Sequence, residues 1–152
     1  MKVLKPLSTI FLFVFLLICT SGCVFTSSRL NREEDKQDAE KVTNKFYSMI
    51  RSKNYDSGYD LFSDKFWAVT SVKRMNALYT ATQKKCGDLV SIKLGDWQTK
   101  VVSGTDPSAE YQLTYNNHYQ KYDAKESFIL MKDDDGKIRI INYNINSDAF
   151  LK

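Results

Sequence analysis

The sequence has few of the side chains on which common enzyme chemistry depends. Its 152 residues contain a single histidine, His118, which excludes a site with two histidine ligands and makes any Ser-His-Asp triad depend on that residue. Its glycines are isolated from one another, so no glycine-rich loop is present to hold a phosphate. Three consecutive aspartates precede Gly136 and lack the alternating ligand spacing of a calcium loop, so we interpret them as a solvated turn. We expect no cofactor and no metal.

An excess of one charge is also missing. The whole chain has a formal net charge of +4, but two of its lysines lie in the first five residues. Beyond them, basic and acidic side chains are close to equal in number. Such a weak positive charge does not favour a nucleic acid partner.

The N-terminus has the pattern of an export signal. Lys2 and Lys5 precede an uncharged apolar run at residues 10–18, and small residues follow it. A positive start, a short apolar core and a small-residue exit are typical of a secretory signal peptide. The run is shorter than the roughly 20 apolar residues that a membrane-spanning helix needs.

The end of this signal, Thr20-Ser21-Gly22-Cys23, resembles the lipobox of bacterial lipoproteins. The resemblance implies cleavage before Cys23, which becomes an acylated N-terminus, although Thr20 departs from the usual leucine. Ordinary signal-peptidase cleavage and an uncleaved anchor are the alternatives. We therefore expect a signal peptide at residues 1–22 and a lipid anchor in the cell envelope. The outer membrane is favoured if the source has one, because Val24 is not the aspartate associated with inner-membrane retention.

Residues 23–31 are polar and serine-rich without a period, and we expect them to tether a domain at residues 32–152 to the lipid. Cys86 is the one cysteine inside this domain. It has no internal disulfide partner, so we expect a buried, unreactive side chain. A domain of this length can bury a core without disulfides or a metal.

The first half of the domain has helical periodicity. Asn31 and Glu34 have the spacing of a capping box, and apolar residues recur at helical spacing as far as Ile50. An aromatic-rich segment at residues 54–67 predicts a short helix with turns. A third helix is predicted from Ser71 to Lys85, with Gly87 as its C-terminal stop.

The second half alternates apolar and polar residues, which predicts strands. The segment around Gly95 predicts either one long bent strand or two short strands with a bulge at the glycine. A bulge is also expected in the last strand, where the apolar phase shifts between Ile140 and Ile141. The connections are too short for parallel crossovers. The sequence therefore predicts an α+β fold with N-terminal helices packed on a curved antiparallel sheet.

Two segments add a family resemblance, "KNYDSGYDLFSDKF" at Lys53 to Phe66 and "DDGKIRIINYNI" at Asp134 to Ile145. With the order of elements, they resemble the NTF2-like (cystatin-like) superfamily, and within it small domains of bacterial lipoproteins of unknown function. The resemblance implies a cone formed by the helices and the curved sheet. The superfamily includes isomerases, dehydratases and non-catalytic binding domains, so the fold does not choose an activity.

The isomerase-type members use a carboxylate base beside a tyrosine. Here tyrosines are abundant, but Asp96 and Glu126 are placed at strand edges and no base is evident. One group of residues combines aromatic rings with polar neighbours and could form a binding surface for a sugar or a peptide. Its members are Tyr111, Tyr115, Tyr119, Tyr122 and His118. The alternative interpretation is that these tyrosines occupy half-buried sheet positions.

The sequence thus predicts a membrane-anchored lipoprotein whose domain binds a ligand or assembles with a partner without catalysis. A small enzyme with a pocket in the cone is the alternative. Phe128 to Met131 are apolar on both faces of one strand, which suggests a homodimer through the open face of the sheet. A sheet that curls tightly enough to bury both faces is the other explanation.

Overall fold

The computed structural model describes residues 26–152, which form helices followed by an antiparallel sheet. This confirms the predicted α+β class. The predicted signal peptide and Cys23 lie outside the described residues. Between residues 26 and 152, no helix is both long enough and apolar enough to cross a membrane.

The helical half comprises α1 (Glu33–Ser52), a 3-10 helix (Tyr55–Leu61), α2 (Asp64–Trp67) and α3 (Val72–Cys86). Helix α3 begins as predicted, because the Ser71 hydroxyl accepts a hydrogen bond from the Arg74 amide, and it ends at Gly87, whose φ is 85°. The capping box at Asn31 is wrong. Arg32 is the N-cap of α1, and the Asn31 side chain instead accepts a hydrogen bond from the Thr99 amide at 3.0 Å.

The sheet half comprises β1 (Ser27–Leu30), β2 (Leu89–Ser91), β3 (Leu94–Ser103), β4 (Ser108–Tyr119), β5 (Asp123–Lys132) and β6 (Ile138–Asn146), followed by a 3-10 helix (Asp148–Leu151). Strand order is β1-β3-β4-β5-β6, β2 pairs with the end of β4, and every strand pairing is antiparallel. The sheet is open, with β1 and β6 at its two edges.

Part of the segment expected to be a tether is a β-strand in the structure. Ser27–Leu30 pairs with β3, and Arg29 makes an ion pair of 3.1 Å with Asp35 at the start of α1. No apolar–polar alternation marks this segment, because every residue of this edge strand is exposed. The domain therefore includes β1 and begins before residue 32.

The structure has a register irregularity at Gly95, one of the two alternatives predicted there, and the predicted bulge in β6. The register of β3 on β4 shifts between Leu94 and Trp97, around Gly95. A Cβ at Gly95 would lie 2.6 Å from the Asn116 side chain, so the strands approach closely there. In β6, Asn142 pairs with Ile129 and Ile140 pairs with Leu130, which leaves Ile141 as the extra residue.

The core lies between the helices and one face of the sheet. Phe46 and Tyr47 of α1 are buried against Phe128 of β5, with the Phe46 and Phe128 rings 5.1 Å apart in an edge arrangement. Each such side chain contributes roughly 1.5–3 kcal/mol through burial.

The outer face of the sheet is more polar than the sequence suggested. Phe128 and Leu130 point into the core, whereas Ile129 and Met131 lie half-buried on the outer face. Their cross-strand neighbours are polar or charged, namely Gln112, Asn142, Glu110 and Arg139. The homodimer stays a prediction, but the outer face of the strands between residues 26 and 152 shows no continuous apolar strip around Ile129 and Met131 to support it.

Candidate functional site

The five residues of the predicted binding surface do not form one exposed surface, although Tyr122, in the turn after β4, packs partly buried against the small cluster that contains Tyr119. Tyr111, Tyr115 and Tyr119 are buried on the inner face of β4, whereas His118 is exposed on the opposite face. The two-residue period of a strand separates them. The His118 ring lies 2.6 Å from the carboxylate of Asp123.

A buried carboxylate occupies the inner face instead. Glu126 is fully buried within β5, and its register partners are Tyr115 on β4 and Ile145 on β6. Its placement at a strand edge was wrong, because β5 begins at Asp123, five residues before the predicted strand at Phe128. Glu126 has the same parity as Phe128 and Leu130, which also point inward.

Three neutral groups donate hydrogen bonds to this carboxylate. The amide of Asn117 and the hydroxyl of Tyr119 donate to Oε1 at 2.8 and 2.7 Å, and the hydroxyl of Tyr143 donates to Oε2 at 2.8 Å. The network thus spans β4, β5 and β6. No charged side chain within residues 26–152 forms an ion pair with Glu126.

Helix α1 is joined to the sheet by the same polar layer. The Asn117 amide also donates to the Tyr47 hydroxyl at 2.9 Å, and Thr43 and Tyr115 share a hydrogen bond of 2.6 Å between their hydroxyls. Buried hydrogen-bonding groups cost free energy if they lose their partners. These bonds therefore fix the position of α1 on the sheet.

Burial controls the ionisation of the network. Desolvation raises the pKa of the Glu126 carboxyl above its usual range, against the opposing effect of its three hydrogen-bond donors. The pKa of the Tyr143 hydroxyl is also raised, first by burial and then by the charge of Glu126. Burial likewise raises the pKa of the Tyr119 hydroxyl, so both tyrosine hydroxyls stay protonated at neutral pH.

Beside the network is a small cavity of about 20 Å³, which we call the tyrosine cavity. It is lined by Ile50, Lys53, Tyr55, Tyr79, Thr82, Gln83, Gly87, Asp88, Leu89, Tyr119 and Tyr143. That volume holds about one water molecule. It is far smaller than the roughly 300 Å³ at which ordinary small-molecule pockets begin.

A much larger space lies on the outside of the domain. An open groove of about 1220 Å³, which we call the hairpin groove, runs between α1, the 3-10 helix with α2, and the β5–β6 hairpin. Lys41, Lys45 and Lys65 lie along it, with Tyr59 and Trp67, whose ring centroids are 5.7 Å apart.

The hairpin wall of this groove is held by charge pairs. Arg139 bonds to Asp133 at 2.9 Å and to Asp135 at 2.7 Å. The hydrogen bond from Arg139 lowers the pKa of the Asp135 carboxyl, so both partners stay charged. Two of the three aspartates that precede Gly136, Asp133 and Asp135, are thus paired with Arg139. Gly136 completes the turn with a φ of 80°.

Cys86 is buried, as the sequence predicted, and lies 3.8 Å from the Ser147 hydroxyl. Burial raises the pKa of its thiol, which disfavours the reactive thiolate. Within residues 26–152, no three side chains of the metal-ligating types cluster.

Comparison with known proteins adds no assignment, since no family model matches the chain and no curated protein is similar to it. A carboxylate between two tyrosines is chemically able to accept a proton, but the surrounding side chains leave no space for a substrate beside it. The hairpin groove has that space.

Proposed function

We propose that the protein is a lipid-anchored component of a bacterial cell envelope, whose NTF2-like domain binds a partner or ligand in the hairpin groove without catalysis. The observation that carries this proposal is the filled interior. Glu126 is completely buried and the adjoining cavity measures about 20 Å³. A binding role needs an accessible surface, and the hairpin groove supplies about 1220 Å³ of open space.

The anchor fits the position of β1. Ser27, the first residue of that strand, comes four positions after Cys23 in the sequence. Since an extended chain spans about 3.3–3.6 Å per residue, a lipid on Cys23 would hold the β1 edge within roughly 15 Å of the membrane surface. The domain would then work close to the bilayer, in the outer membrane if the source has one.

The NTF2-like assignment rests on the order of elements and on the open sheet with helices on one face. A homodimer through the outer face of the sheet is part of the same proposal. The polar character of that face favours a weak, wet contact over an obligate one.

A small isomerase- or dehydratase-type enzyme is the second candidate, because Glu126 lies between the hydroxyls of Tyr119 and Tyr143. Such chemistry needs a carboxylate of raised pKa in contact with substrate. The raised pKa is in its favour. The small tyrosine cavity is against it, since a substrate would have to displace several core side chains.

Photo-crosslinking in cells tests whether a partner binds in the hairpin groove. A benzophenone amino acid replaces Lys45, an exposed residue of the hairpin groove, in the full-length protein. The matched control carries the same residue in place of Asn144, which is exposed on β6. We expect a discrete adduct from position 45, weakened by Lys65→Glu across the groove. An adduct from position 144 alone would move the binding surface to the sheet and overturn the proposal.

A further inference from the structure

The hairpin groove contains an open stretch of sheet edge. Strand β6 is the last strand of the sheet, and its first residue, Ile138, lines the groove. An edge strand presents amide and carbonyl groups that have no neighbouring strand to bond with. The direction of these groups at Ile138 follows from the hydrogen bonds of the residues beside it.

The backbone of Ile138 is directed away from β5. The Lys137 carbonyl accepts a hydrogen bond from the Asp133 amide at 2.8 Å, so residue 137 faces the β5 side of the hairpin. The Ile140 carbonyl accepts one from the Ser63 amide at 3.0 Å, so residue 140 faces the opposite side. Because successive residues of an antiparallel strand alternate between these two directions, the amide and carbonyl of Ile138 share the outward direction of Ile140.

The chain itself already pairs with this edge one step further along. Phe62 makes a parallel bridge with Ile140. Leu61, the residue before Phe62, ends a 3-10 helix, so the chain turns away before it reaches Ile138. Within residues 26–152, no backbone hydrogen bond from outside the β5–β6 ladder reaches Ile138. The pairing that Phe62 begins is therefore left open beside Ile138.

The side chains around this open edge offer apolar contacts. Leu61, Trp67 and Ile138 line the groove and are only partly buried. In an extended peptide every second side chain points to the same face. A peptide beside Ile138 would thus direct alternate side chains to this apolar surface.

The charges of the groove do not select a strongly charged ligand. Arg139, Lys137 and Lys41 are already in ion pairs with aspartates of the groove. The charged groups outside these pairs are three lysines and three aspartates, namely Lys45, Lys65, Lys132, Asp60, Asp64 and Asp134. Such a balance favours recognition through the main chain of a partner over recognition of an ion.

From these features we propose that the hairpin groove binds an extended segment of a partner protein, which adds to the sheet edge beside Ile138. The segment donates a backbone hydrogen bond to the Ile138 carbonyl and accepts one from the Ile138 amide, as in other complexes formed by strand addition. The groove, at about 1220 Å³, exceeds the roughly 300–1,000 Å³ of small-molecule pockets. This class of partner depends on the binding role proposed above for the groove.

A strand peptide of defined sequence tests the pairing. The full-length protein in detergent micelles is titrated with acetyl-Thr-Val-Thr-Val-Thr-amide, and the amide resonances of Ile138 and Arg139 are followed. The control is the same peptide with every backbone nitrogen methylated, which keeps the side chains but has no N–H to donate. We expect saturable shifts with the unmodified peptide and an affinity at least about tenfold weaker for the methylated one. Equal affinities, or no binding of the unmodified peptide, would overturn the proposal.

A proline variant checks the position of the added strand. Ile138→Pro removes the outward amide at a sheet edge, where proline is tolerated. It should weaken the unmodified peptide about tenfold, as measured by the resonance of Arg139. Ser28→Pro is the matched control, since Ser28 is an exposed residue of the other edge strand, β1. Equal affinities in the two variants would contradict the site, and if Ile138→Pro fails to fold, the two peptides still decide.

The crosslink from position 45 separates strand addition from the binding role itself. We expect Ile138→Pro to weaken the adduct and Ser28→Pro to leave it unchanged. An adduct that persists undiminished in Ile138→Pro would show that the groove binds its partner without strand addition, which overturns this inference alone. No adduct from position 45 in the otherwise native protein would contradict the binding role, and the partner class with it.

Discussion

The hydroxyl of Tyr143 on β6 donates a hydrogen bond of 2.8 Å to the fully buried carboxylate of Glu126 on β5. Tyr119 and Asn117 complete the set of donors from β4. Three neutral donors satisfy the Glu126 oxygens as hydrogen-bond acceptors, but no cation within residues 26–152 pairs with this carboxyl group to offset a negative charge. This arrangement makes the stability of the domain depend on pH.

Glu126→Gln should remove that pH dependence. Folding raises the pKa of Glu126 above the value of about 4.3 in the unfolded chain. Both states are protonated well below pH 4.3, and as pH rises towards the native pKa only the unfolded state ionises freely. The native protein therefore loses stability over this interval, by about 1.4 kcal/mol for each unit of difference.

Urea unfolding of both proteins between pH 4 and pH 8 measures this effect. We expect the free energy of unfolding of Glu126→Gln to exceed that of the native protein by an amount that grows with pH and then levels off above the native pKa. A difference independent of pH would show that the pKa of Glu126 is the same in both states.

Asn117→Asp should strongly destabilise the fold. It places a second carboxylate where an amide now donates to Glu126 and Tyr47. An uncompensated buried charge costs roughly 3–5 kcal/mol. Asn144→Asp, at an exposed position of the sheet, is the control and should change stability by less than about 0.5 kcal/mol. Equal effects in the two variants, measured by chemical denaturation, would argue against a buried network.

Strand β1 should belong to the folding unit. A soluble form that begins at Val24 is expected to unfold cooperatively without its lipid. A form that begins at Asn31 loses the pairing of β1 with β3. It also loses Arg29, the ion-pair partner of Asp35, and Asp35 is only 7% exposed. We expect a loss of about 1–3 kcal/mol. Equal urea midpoints would show that β1 is a tether after all, and a broad melt of the longer form would contradict independent folding.

The thiol of Cys86 should be inert in the native state. It is buried and its pKa is raised by that burial. In the soluble form from Val24 it is the only cysteine, so an aromatic disulfide reagent reports on it alone. We expect reaction with the folded domain to be at least about a hundredfold slower than in urea. Similar rates would indicate an accessible thiol.

The elements of the fold could be predicted because their signals are local. Ser71 and Gly87 mark the ends of α3 through capping, and the phase shift at Ile141 marks the bulge of β6. The start of α1 was wrong because Asn31 bonds to Thr99, a contact between residues far apart in the sequence. Strand β1 was missed because an edge strand with both faces exposed has no alternation.

The buried network around Glu126 could be predicted from the sequence only in part. Asn117 continues the inward series of Tyr111, Leu113 and Tyr115, and Glu126 shares the parity of Phe128. A polar residue at an inward position was therefore available as a signal. The inward position of Glu126 was missed because the predicted strands are shorter than the observed ones, which places Glu126 at a strand edge. The pairing of Asn117 with Glu126 depends on the β4–β5 register, which the sequence does not encode locally.

The proposed anchor at Cys23 would set the compartment in which the domain acts, and mass spectrometry of the protein extracted from membranes tests it most directly. After tryptic digestion, the account predicts an N-terminal peptide from Cys23 to Arg29 that carries a diacylglyceryl thioether and an acylated amino group. Cys23→Ala should abolish this modification, whereas Cys19→Ala, the matched control, should retain it. A mature protein with a free, unmodified Cys23 would contradict the account.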